Sequence, residues 1–167
     1  MGGTETGRRP TPEITHAYLQ ETLGLDYWNR IVNELVRLGY YSVWDEVPPR
    51  NDPPLLHEES DAFYLLEQDR GHEIIYVQFL PPNSRTSYHK HSPPVTEDYN
   101  VFDGELYLND MQLPRETFTV GFDIPHQATT KDKPAVTILR TNNVLGIPRD
   151  QIHIREAVAT SVYPLGA

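Results

Sequence analysis

The sequence predicts a mainly β domain, a barrel or sandwich of short strands carrying an N-terminal helical extension. Three observations lead there. Helical spacing of apolar residues is confined to the stretch before Gly39. From Ala62 onward, short runs rich in Val, Ile, Tyr and Phe alternate with clusters of Pro, Gly, Asn and Asp, the pattern of strands joined by turns. His89 and His91 flank Lys90 in one such run, and residues two apart on a strand share a face. At 167 residues the chain has the size of one domain and is long enough to bury a core. Its expected divisions are a flexible tail over 1–10, a helical extension over 11–47 and the β domain over 48–167.

Met1 to Pro10 is rich in Gly, Thr and Arg and has no hydrophobic period, hence the tail. Thr11-Pro12-Glu13 reads as an N-cap with Pro in the first helical position, and Ile14, Tyr18 and Leu19 recur at helical spacing toward Gly24. A second helix follows on Tyr27, Trp28, Ile31, Leu35 and Leu38, with Gly39 as its stop. Its stripe is expected to pack on the outside of the sheet, with a dimer contact or a lid as the alternative. Tyr40 to Val47 has strand composition, and Pro48 to Pro54 forms a stiff proline-rich loop. Ala62 to Glu67 is a strand, Asp69-Arg70-Gly71 its turn, and Glu73 to Leu80 the next strand, with Pro81 to Ser84 leading into the histidine strand. Beyond Gly104, the short link Glu105 to Pro114 predicts a clipped hairpin. Glu116 to Val120, Pro134 to Thr141 and Gln151 to Ala157 complete the strands.

Charge and composition narrow the function. Fourteen basic residues stand against 24 acidic ones, a formal charge of −10, which argues against a surface that tracks nucleic-acid phosphates. The same charge favours a neutral or singly charged small molecule as substrate. The apolar runs are too short to span a membrane, and the polar start offers no secretory h-region, so the expected location is the cytoplasm. With no cysteine, thiolate metal sites, disulfides and cysteine nucleophiles are excluded.

The chemistry gathers between Thr86 and Gly104. His89 and His91 project from one strand face and can meet one ion, while Lys90 points the other way. Pro93 and Pro94 break the strand, and Glu97, at the head of the next apolar run, can return beside the histidines. The series His-x-His, five residues, Glu, six residues, Gly, spanning His89 to Gly104, resembles the first motif of the cupin superfamily. Arg115 to Thr130 lies without a gap on the second cupin motif, with His126 on the family's third histidine. Arg115, Gly121, Asp123 and Thr130 stand there in place of the usual Gly, Pro, Gly and Asn.

The resemblance, over Glu73 to Asn142, implies a cupin-type jelly-roll β-barrel whose metal is held by His89, His91, Glu97 and His126. Three imidazoles and a carboxylate suit one divalent transition metal, with Fe placed first and Mn, Zn, Ni or Cu as alternatives. Tyr99, two residues after Glu97, should face the same cavity, with Gln78, Tyr76 and Tyr88 as further neighbours, so Glu97 and Tyr99 are the candidate catalytic pair. His16, His57, His72 and His153 are read as ordinary packed or surface histidines. The function so implied is a mononuclear metal enzyme acting on a small organic molecule, a dioxygenase-type oxidoreductase, whose expected partners are that substrate and a second copy in a homodimer. A sugar or carbonyl isomerase, epimerase or cyclase is the alternative, and a non-catalytic ligand-binding module the rival from another class.

Overall fold

The computed structural model describes residues 24–40, 60–148 and 151–155. The tail, the first expected helix, the strand expected after Tyr40, the proline-rich loop and the end of the last strand lie outside the described residues.

Helix α1 (Leu25–Arg37) buries Trp28, Ile31, Val32 and Leu35, a stripe at helical spacing. Gly39 ends it at φ 77°, and Tyr40 folds back so that its N–H reaches the Leu35 carbonyl. Its buried stripe packs against Ile75, Val77, Val136 and Ile138. The helix therefore lies on the outside of the sheet, as its amphipathic stripe predicts. Each of these side chains, fully buried, contributes roughly 2 kcal/mol of hydrophobic stabilisation.

The main sheet has five antiparallel strands in the order β1 (Phe63–Asp69), β2 (Glu73–Leu80), β9 (Ala135–Asn142), β4 (Thr96–Gly104) and β7 (Phe118–Val120). β2 and β9 pair along their whole length, from Glu73 opposite Asn142 to Leu80 opposite Ala135. Both faces of β2 are covered, so it lacks a polar alternation. Ile75 and Val77 meet α1, while Ile74, Tyr76 and Leu80 face the interior.

The second layer is assembled from shorter pieces. β3 (His89–His91) pairs with β10 (His153–Arg155), and β5 (Tyr107–Leu108) lies between β6 (Met111–Gln112) and β8 (Ala128–Thr129). Bridges from His89 to His126 and from Arg85 to Thr129 join these pieces. The central core fills the space between the layers. Tyr99, Val101 and Leu139 from the main sheet meet Leu106, Leu108, Ala128 and Ile152 from the second.

Several motif positions acquire a physical reason. Gly104 sits at φ 78°, and a Cβ there would fall 1.8 Å from the Pro134 carbonyl oxygen, so only glycine fits. Arg115, in place of the usual glycine, donates to the Gly104 carbonyl at 2.9 Å and to that of Val101 at 3.4 Å, tying off the end of β4. Asp123 adopts φ 61°, a conformation glycine provides elsewhere and Asp tolerates. Thr130 replaces the motif's asparagine by accepting from the Ser84 N–H and donating to the Pro81 carbonyl. The hairpin expected after Gly104 is present, turned at Asn109 and Asp110 with φ of 47° and 66°.

Candidate metal centre

His89 and His91 lie on β3 with Lys90 between them facing away, as strand alternation requires. Glu97 enters from the second residue of β4, after the Pro93–Pro94 turn, which is closed by the Val95 N–H on the Ser92 carbonyl. His126 is brought in by reciprocal backbone hydrogen bonds with His89, at 2.8 and 3.0 Å. These three short segments place one donor atom from each of His89, His91, Glu97 and His126 within 4.8 Å of one another, with all four residues buried. Ring centres of the three imidazoles are 4.6 to 5.2 Å apart.

The donors are oriented from behind. Nδ1 of His89 lies 3.0 Å from the Ser87 carbonyl and Nδ1 of His126 lies 2.8 Å from that of Ile124. With Nδ1 engaged as donor, each Nε2 keeps its lone pair. Glu97 Oε2 accepts from the Thr141 hydroxyl at 3.0 Å, while Oε1 lies 3.4 Å from His91 Nε2 and 4.0 Å from His126 Nε2.

Burial and the neighbouring His91 charge push the His89 pKa down to about 4, and burial with the His89 and His91 charges holds His126 well below its ordinary value. Burial alone would raise the Glu97 carboxyl, but the nearby His91 imidazole, with Nε2 3.4 Å from Oε1, and the neighbouring His153 and His126 hold it below the usual carboxylate range. At neutral pH the pocket therefore presents a carboxylate and neutral imidazoles at His89 and His126. Nε2 of His126 and both ring nitrogens of His91 are buried with no hydrogen-bond partner. Such orphaned lone pairs are costly in a dry interior and are what a metal ion satisfies. The cluster can hold one metal ion.

The described fold is the two-layered antiparallel β arrangement that the cupin resemblance implies, with the Gly104 turn and one buried cluster where both motif stretches converge. No family model matches the sequence, and no curated relative does. Among solved structures, the chain is similar to the DMSP lyase DddQ of Ruegeria pomeroyi DSS-3, at 19% identity over 53% of this chain and 49% of that one, with a TM-score of 0.41. It is similar also to a sugar phosphate isomerase from a cupin superfamily of Silicibacter pomeroyi DSS-3, at 18% identity over 56% and 68% with a TM-score of 0.44. A predicted oxalate decarboxylase of Thermotoga maritima follows at 16% identity over 49% and 78%, with a TM-score of 0.41. The chain spans about half the length of the first of these, and at such scores none of them carries an argument about activity.

Of the further cavity candidates, Tyr99 is buried beside the four-donor cluster, its ring centre 6.3 Å from that of His126. Burial and the adjacent Glu97 charge push its hydroxyl pKa well up, so it stays protonated. Tyr76 is buried on the same sheet face and packs against Tyr64, ring centres 5.0 Å apart. Gln78 shares that face by alternation and pairs across to Thr137. Tyr88 is buried immediately before β3, on the Lys90 side by alternation. His72 is exposed, with Nε2 3.8 Å from Glu73, and His16 and His57 lie outside the described residues.

His153, read from the sequence as an ordinary packed or surface histidine, lies outside the four-donor set but packs against it: β10 sets it opposite His91, with ring centres 5.0 Å from both His89 and His91. No motif spacing marks it. The only sequence signal is that an imidazole lies in the last apolar run, and its meaning depends on which strand that run pairs with.

Proposed function

We propose that the protein is a mononuclear metal-dependent cupin enzyme acting on a small organic molecule, with His89, His91, Glu97 and His126 as the protein donors. The observation that carries this reading is the buried four-donor cluster whose imidazole nitrogens at His91 and His126 have no other partner. A mixed set of three imidazoles and one carboxylate suits Fe, which we place first, before Mn, Zn, Ni and Cu. Bound there, such an ion supplies Lewis acidity and, as Fe, one-electron chemistry with dioxygen.

The chain's own residues do the rest. The Ser87 and Ile124 carbonyls fix the His89 and His126 rings, and Thr141 fixes Glu97. The apolar core reaches the cluster through Tyr99, whose ring centre lies 6.3 Å from that of His126. Tyr99, buried beside the cluster and kept protonated by burial and the Glu97 charge, is the residue we assign to proton transfer with a bound molecule. That assignment also supports the second reading, proton-moving isomerase, epimerase or cyclase chemistry at a redox-silent ion.

The two readings part in one experiment. Protein loaded anaerobically with Fe(II) and presented with a panel of small acids, thiols and sugars is expected to consume oxygen with at least one of them. His89→Ala, folded by circular dichroism, is expected not to. Conversion of a panel member without oxygen uptake by the Zn or Mn form would replace the oxygenase reading with the isomerase one. Binding without conversion under any ion would leave a ligand-binding module.

A further inference from the structure

A fourth imidazole adjoins the cluster without belonging to the four-donor set. On one edge of β3, His89 exchanges backbone hydrogen bonds with His126, and the His91 carbonyl accepts from the Asp123 N–H. On the opposite edge, Ser92 donates to the Ile152 carbonyl and β10 runs antiparallel. His153 therefore approaches from the side away from His126. Because His91 directs its carbonyl to the other edge, His153 and His91 form the closely spaced, non-hydrogen-bonded kind of antiparallel pair, with side chains on one face.

Its separation of 5.0 Å from both the His89 and His91 rings falls within the 4.6 to 5.2 Å spacing of the three donor rings themselves. His153 Nδ1 is buried and has no hydrogen-bond partner. As a whole the residue is only partly covered, whereas His91 and His126 are fully enclosed, so it sits between the cluster and the surface. Nor does β10 need this side chain to dock. Ser92 holds it through the Ile152 carbonyl at 2.9 Å and the Gln151 carbonyl at 2.7 Å, and Ile152 is buried in the core.

We propose that His153 is a ligand-binding residue of this site: its Nδ1 hydrogen-bonds the small anion or oxygen group that takes a coordination position the protein donors leave open. The inference rests on the metal reading above. Four protein donors leave one or two positions free on a six-coordinate ion, and a buried, unpartnered nitrogen beside the donors is what a ligand at such a position would meet.

The test uses Co(II)-loaded protein titrated with azide and followed by visible absorption, with Co(II) content measured in parallel. His153→Leu removes the nitrogen, and His153→Asn keeps a polar atom near the position of Nδ1. All three proteins are expected to hold one equivalent of Co(II). The azide Kd is expected to rise about tenfold or more in His153→Leu and to recover at least in part in His153→Asn. An unchanged azide Kd in His153→Leu overturns the proposal, as does a wild-type Co(II) centre that ignores azide. Loss of Co(II) from both folded variants also overturns it, making His153 a metal donor instead. If neither variant folds, His153 is a packing residue and the proposal fails. Wild type that takes up no Co(II) defeats the metal reading itself, a result distinct from all of these.

Discussion

The two faces of the main sheet bury polar groups in opposite ways. On the outer face, Glu73 is held by Arg70 at 2.9 Å and Arg140 at 2.8 Å, and Asn100 donates to the Tyr40 hydroxyl and the Ile138 carbonyl. There each buried polar group is answered by another. On the inner side, His91, His126, His153 and Thr137 each keep at least one buried polar atom without a partner. A face satisfied within the chain is a structural face. A face left open in a dry core is shaped for something the chain does not supply, and the donor set suits a metal ion.

The largest expected effect falls on the turn that both faces share. Gly104→Ala forces a Cβ against the Pro134 carbonyl and a left-handed backbone on a non-glycine residue, and should cost about 4 kcal/mol or more by chemical denaturation. A loss under about 1 kcal/mol would show that β4 and β9 can slide apart there and that the motif glycine is dispensable.

Acid should act on the inner face next. In metal-free protein, His89 has a folded pKa of about 4 against 6.5 for the free side chain, so between these values the unfolded chain binds more protons. Stability present above pH 6.5 is therefore lost as pH falls toward 4, and the depressed pKa values of His126 and Glu97 act in the same direction. Urea midpoints measured from pH 7.5 to 4 should fall by an amount worth on the order of 2–3 kcal/mol. His89→Ala should flatten that slope, and an identical slope would remove His89 as its source.

Smaller effects separate the faces cleanly. Thr141→Val deletes the hydroxyl that orients Glu97 and is expected to weaken metal binding about 10- to 100-fold by competition with a chelator, and to cost the metal-free protein about 1–3 kcal/mol because it leaves a buried carboxylate oxygen unpartnered. Arg140→Ala on the outer face should cost under about 1 kcal/mol of stability, since its side chain is partly solvated, and should leave metal affinity alone. A reversal of these two outcomes would dissolve the distinction between a structural and a functional face.

Much of this was legible before the structure. A strand's period of two puts His89 and His91 together, and the Pro93–Pro94 break followed by an apolar run places Glu97 and then Tyr99 on the inner face. Helical spacing on Trp28, Ile31 and Leu35 announces the stripe that covers the outer face. His126 was reached through motif spacing, and the departures around it make sense only in three dimensions. The positive φ of Asp123 and the hydrogen bonds of Arg115 and Thr130 replace what the usual residues do. The place of His153 beside the cluster is not legible in the sequence, because it depends on the pairing of β10 with β3, and local sequence does not encode a partner so distant along the chain.

The central claim is that the inner cluster is a metal site. Elemental analysis by mass spectrometry of the purified protein, beside His126→Ala prepared identically, tests it most directly. The account expects about one equivalent of a first-row transition metal in the wild type and its loss from a folded His126→Ala. No metal in the wild type even after reconstitution with Fe, Mn, Zn, Ni and Cu, or equal metal in both proteins, would contradict it.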